Sequence, residues 1–128
     1  MEKLLIEPTF ETPAVNFDPE GGYFEIKGKS FPDNYFVFYK PILDYLGTYA
    51  EKPVGLLNVY FEFEYFNTVS AKAIYDVLMV FNVIKNKGVQ VNVIWAYKEN
   101  DDEMKDAGTG FSQIIELPFE IKMIKENP

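Results

Sequence analysis

The 128 residues contain no cysteine and no histidine, and all twelve basic residues are lysines. Without cysteine there are no disulfides, no thiolate nucleophile and no sulfur-ligated zinc. Without histidine the chain lacks the usual general base near neutral pH and the commonest transition-metal ligand. Without arginine it lacks the planar fork that grips carboxylate or phosphate through two parallel hydrogen bonds, so a strong internal anion clamp is not expected. Positive charge is scarce as well: 20 acids leave a net charge of −8, which disfavours nucleic acid and anionic membranes as partners. No apolar run approaches the ~20 residues that span a bilayer. MEKLLIEPTF is too acidic, and its apolar part too short, for a secretory signal. The sequence predicts an acidic cytoplasmic protein with no cofactor, no metal and too little catalytic equipment for an enzyme.

What is plentiful is apolar: 48% of residues, with 17% aromatic. No linker, repeat or break in composition divides the chain, so a single domain over 1–128 is expected, burying roughly two-thirds of its unfolded-chain surface. LLI near residue 5 reads as a short strand. Val15–Asp18 and Tyr23–Lys27 flank Pro19-Glu20-Gly21-Gly22 and read as a hairpin. KSFPDN leads into a helix capped by Asp33 or Asn34, with Phe38, Ile42, Tyr45, Leu46 and Tyr49 on its core face. Pro41 interrupts that pattern and is predicted to open a second helical segment, because inside a helix it costs ~3 kcal/mol. Leu57, Val59, Phe61, Phe63 and Tyr65 alternate with more polar neighbours, as on a strand with one buried face. Ile74, Val77, Leu78, Phe81 and Ile84 mark a helix, and Val89, Val91, Val93 and Trp95 a second strand. This βαβ unit requires parallel strands. KENDDEMKDAGTGFSQII reads as a loop with one or two short helices, and PFEIKMI as an edge strand. The predicted fold class is α/β, a mixed β-sheet with helices mainly on one face.

Few segments carry chemistry. Glu99, Asp101, Asp102, Glu103 and Asp106 crowd one stretch, either as a hard-cation or ligand site or as a solvated loop with acids at a helix start. Their spacing lacks the glycine and the terminal glutamate of an EF-hand loop. Glu62 and Glu64, two apart on a strand, suit the wet side of a sheet as well as paired acid–base work. Gly108-Thr109-Gly110 is too short for a phosphate cradle. The junction Asn67-Thr68-Val69-Ser70-Ala71-Lys72 is the most informative piece. Asn, Thr and Ser are all favoured helix caps, worth ~1 kcal/mol. Lys72, by contrast, opposes the helix dipole from the first turn. The alternatives are a cap alone, or a hydroxyl at Thr68 or Ser70 presented for phosphorylation with Lys72 as its nearest counter-charge.

TPAVNFDPEGG (12–22), GKSFPDN (28–34), FYKPILDYL (38–46), FEYFNTVSAK (63–72) and VIWAYKENDDEMKDAGTGF (93–111) stand in an order and spacing that resemble the SiaC-like family of bacterial regulatory phosphoproteins. The chain departs from the family's habit at Asp33, Glu103 and Asp106. The resemblance implies a fold similar to the anti-sigma-factor antagonists (STAS-like) and a phosphoacceptor where a strand passes into a helix. The family's acceptor falls on Thr68. A histidine-kinase-like serine/threonine kinase would phosphorylate it, and a metal-dependent phosphatase would reverse the reaction. The unphosphorylated form would bind and activate a diguanylate cyclase, raising cyclic di-GMP and favouring biofilm. Asn67, Thr68, Ser70 and Lys72 would then centre the partner-binding surface. The competing possibility is a small-molecule or metal-binding module, or an enzyme, using the acidic 99–106 loop with Trp95–Tyr97.

Overall fold

A computed structural model describes residues 1–125. Six strands form one sheet whose spatial order repeats their order along the chain. These are β1 (Leu4–Ile6), β2 (Ala14–Asp18), β3 (Tyr23–Ser30), β4 (Leu56–Phe66), β5 (Gln90–Lys98) and β6 (Phe119–Ile124). The first three pair antiparallel, β2 and β3 as the expected hairpin, while β3, β4, β5 and β6 run parallel. At the hairpin turn Gly22 has φ 67°, and a Cβ there would strike the Leu56 carbonyl, so glycine is required.

Three helices fill the three parallel crossovers: α1 (Tyr35–Tyr49), α2 (Thr68–Asn86) and α3 (Asp102–Ile114). Parallel crossovers are right-handed in nearly all proteins. Because every crossover here advances the sheet in the same direction, that rule puts all three helices on one face. Inward rows such as Phe17–Phe24–Val59–Val93 and Ile26–Phe61–Trp95 are buried under them. The opposite face carries Glu25, Lys27, Tyr60 and Glu62, where Tyr60 Oη donates to Glu62 at 2.7 Å and Lys27 lies 3.8 Å from both acids. Burial and the neighbouring Glu62 push the Tyr60 phenol up. Among the described residues no helix is long and apolar enough to cross a membrane.

Three expectations are corrected. Pro41 does not open a new segment, since α1 runs unbroken through it. The helix holds because Tyr39, Ile42, Leu46 and Tyr49 are all buried along one side. The carbonyl deprived of its donor belongs to Val37, whose residue is 67% exposed and can use water. Phe38 and Tyr45 pack half-buried against the core as expected, and Tyr39 joins the fully covered positions. The alternation of β4 also breaks before its end. Gly28 pairs with Phe63 but Lys29 with Tyr65, leaving Glu64 as an extra residue, a bulge. Beyond it the facing inverts: Tyr65 is exposed, and Phe66 packs on Phe63 and Trp95 at 5.5 and 6.2 Å. Finally, the acidic stretch is mostly one helix of 13 residues rather than a loop with one or two short helices.

That helix docks through Gly108, where a Cβ would collide with the Trp95 indole, while Trp95 Nε1 donates to the Met104 carbonyl at 3.0 Å. Gly108→Ala should therefore destabilise by about 1–3 kcal/mol through overpacking, despite alanine's better helix propensity. Pro41→Ala should stabilise by about 1–2 kcal/mol: it restores the interior hydrogen bond and loses only proline's restraint on the unfolded chain. Urea unfolding of the two variants checks both signs.

Candidate functional site

Each parallel strand from β3 to β5 is followed by a helix after a short connection, so three helix N-termini gather at the carboxyl edge of the sheet. Their caps are Asn34, Asn67 and Asp101, whose side chains accept from Val37 N, Ser70 N and Met104 N at 3.2, 2.9 and 3.1 Å. In α3 the first turn carries Asp102 and Glu103, whereas α1 and α2 have no acid there. The positive dipole end of α2 thus meets no acidic side chain in its own first turn.

The junction between β4 and α2 is held from two sides. Asn67 N donates to the Ser30 carbonyl at the end of β3, and its own carbonyl accepts from Ala71 N. Asn67 is half-buried and is the cap. Thr68 is the first helical residue and is exposed, as is Val69. Lys72 is exposed too, but its ammonium is not free: it bonds both carboxylate oxygens of Asp76 at 2.8 Å. That hydrogen bond raises the Lys72 pKa above its ordinary value.

Ser70 does not lie on this surface. It is fully buried, and its Oγ accepts from Ser30 Oγ at 2.8 Å. Ser30 Oγ also lies 2.5 Å from the hydroxyl of buried Tyr39, which donates to it because the Ser30 proton is committed to Ser70. Burial pushes the Tyr39 phenol up, partly offset by these bonds. The expectation that Ser70 touches a partner or accepts phosphate is therefore corrected: it supports the junction from beneath. The helical period already placed it there, four residues before Ile74 and seven before Val77. Strand alternation from Phe24 and Ile26 likewise pointed Ser30 inward, a signal the sequence reading missed.

The bulge at Glu64 shapes what surrounds Thr68. By turning Tyr65 outward it completes an aromatic series at the surface, exposed Phe10 against half-buried Phe31 at 5.5 Å and Phe31 against exposed Tyr65 at 5.8 Å. Lys29 sits over the Phe10 ring at 4.8 Å. None of these outer residues was legible from periodicity. Tyr65 also borders a shallow cavity of about 230 Å³, lined with it by Glu64, Phe66, Asp101 and Glu103.

The acids of 99–106 take structural positions around α3, Asp101 as cap and Asp102 and Glu103 in the first turn. Among the described residues no three acids converge as a metal-ligand set. Trp95, which the competing reading needed as a pocket wall, is wholly buried, and Tyr97 packs beneath Lys105 at 5.9 Å.

Residues 6–124 match the family of SiaC regulatory phosphoproteins, and the chain belongs to that family. SiaC of Pseudomonas aeruginosa is 26% identical and superposes with a TM-score of 0.87, covering 97% of this chain and 100% of that one. SiaC is also the activator in the crystal structure of the diguanylate cyclase SiaD complex from that organism. There it superposes with a TM-score of 0.88 at 25% identity, covering 94% of this chain and 99% of that one. An uncharacterized protein of the same organism is 25% identical over 122 residues, which are 95% of this chain and 97% of that protein.

The caps and the hydroxyl cluster predict an order of stabilities. Asn67→Ala should cost about 1 kcal/mol, whereas Thr68→Ala, just inside the cap, should change stability by less than about 0.5 kcal/mol. Ser30→Ala should cost more than either, because it strands the buried Ser70 and Tyr39 hydroxyls at about 1–3 kcal/mol each. Chemical denaturation of the three variants tests the ranking.

Proposed function

We propose that this chain is a regulatory phosphoprotein acting as one SiaC-like unit, and that Thr68 is its phosphoacceptor. The observation that carries the reading is the placement of Thr68: an exposed threonine as the first residue of a capped helix, in a member of a regulatory phosphoprotein family. A serine/threonine kinase of the histidine-kinase-like type adds the phosphate in the cytoplasm, and a metal-dependent phosphatase removes it. The partner of the unphosphorylated form is a diguanylate cyclase, by analogy with the SiaD–SiaC complex, and cyclic di-GMP with biofilm growth is the output.

The physical mechanism follows from charge and burial. Phosphorylation adds about −1.5 to −2 charge and three acceptor oxygens. The dipole of α2 stabilises this by only ~0.3–1 kcal/mol, too little to rearrange a junction fixed by Asn67, Ser30 and Ser70. No arginine stands ready to fold over the anion. The fold therefore stays as it is while the surface changes. Inside an interface, beside the exposed aromatic residues and Glu64, an unpaired phosphate loses its water and costs several kcal/mol. The partner leaves. Asn67 and Lys72 act beside Thr68 on this surface.

Calorimetry against the cognate diguanylate cyclase tests the switch. Thr68→Asp should weaken binding at least about tenfold, and Thr68→Ala should bind like the unmodified chain. Equal affinity for Thr68→Asp and the unmodified chain would sink the reading.

A further inference from the structure

Thr68, Lys72 and Asp76 follow one another at four-residue spacing, so they share one stripe of α2. Lys72 Nζ presently bonds both oxygens of Asp76 at 2.8 Å. No other cation lies on α2 before Lys85. Asp76 forms part of the lining of a groove of about 210 Å³ between α1 and α2, together with Tyr35, Lys40 and Ala73. Lys40, the other charge in that groove, is itself bonded to Asp44 at 2.7 Å.

We propose that a phosphate on Thr68 draws Lys72 away from Asp76, so that modification at the start of α2 uncovers a carboxylate at the α1–α2 groove two turns further along. The inference rests on the switch reading only for the identity of Thr68 as acceptor. Two considerations decide the direction. An acid four residues before a lysine is the better arrangement along a helix, and an acid four residues after it the poorer one. The Lys72–Asp76 pair has the poorer arrangement, and both side chains are open to water, at 68% and 36%, so the bond that is given up is weak. The incoming phosphate carries nearly two charges against one for the carboxylate.

Two separated points on the surface then change with one modification. Thr68 gains an anion, and about 12 Å along the helix axis Asp76 loses its cation. Asp76 then faces the groove without Lys72, and Lys40, bonded to Asp44 at 2.7 Å, is the cation that remains in the groove lining. A partner that touches both the junction and the groove meets new negative charge at each.

The experiment installs phosphothreonine at position 68 by genetic incorporation, which removes any dependence on a kinase. The carbon resonance of the Asp76 side-chain carboxylate is followed by NMR, with Lys72→Met as the reference for an unpaired Asp76. Phosphorylation should move that resonance to its position in Lys72→Met, and should barely move it further when Lys72→Met is already present. A resonance that stays at its unphosphorylated position overturns the hand-over. So does a shift of the same size in the Lys72→Met background, because the effect would then not pass through Lys72. Intact mass of the protein from its own cells tests the acceptor separately: absence of phosphate on Thr68 there removes the switch reading and leaves the ion-pair result standing.

Discussion

Parallel pairing of β3 through β6 is the constraint from which the rest follows. Neighbouring parallel strands start at the same end, so the chain must travel back across the sheet after each one. Here α1, α2 and α3 make those returns. Uniform handedness keeps the three on a single side, and equal strand direction sets all their N-termini along a single edge. The junction at Thr68 occupies the middle of that edge, with β3 on one flank and β5 on the other. Its setting is a product of topology before any functional side chain is considered.

What individual residues add is rigidity below and accessibility above. Ser30, Tyr39 and Ser70 come from a strand and two helices, and their hydroxyls meet in the core. Such a network is stabilising only when every member is paired, since in a low-dielectric interior each orphaned hydroxyl is costly. The cluster ties the starts of α1 and α2 to the end of β3, fixing the backbone on which Thr68 stands. Above it, the bulge at Glu64 turns Tyr65 outward toward Phe31. An exposed threonine thus stands on backbone that is firmly supported from beneath.

Much of this was legible in the chain. The hairpin, the βαβ unit and the core faces of α2 and β5 follow from periods of 2 and 3.6 residues, because burial enforces those periods. The caps were readable to a choice, Asp33 or Asn34 for α1 and one of Asn67, Thr68 and Ser70 for α2, because several residue types cap equally well. Pro41 was misread because intrinsic propensity ignores how much apolar surface the surrounding helix buries. The reversal of facing at Tyr65 and Phe66 was invisible, since a bulge is defined by the partner strand's register and not by its own sequence. Ser70 was assigned to the surface by its polarity, although its helical phase placed it inside. Polarity describes what a side chain needs, and phase describes where it points. The aromatic series of Phe10, Phe31 and Tyr65 joins three segments that only tertiary structure brings together.

The monotonic strand order has a consequence for biosynthesis. Each strand emerging from the ribosome finds its neighbour already made, and no strand waits for a later one to be inserted between itself and its partner. The sheet can thus extend as a growing edge during translation, with β4, β5 and β6 each preceded by the helix that covers the crossover. At any moment the open ladders are therefore the most recent strand and the outer side of β1, which is only three residues long.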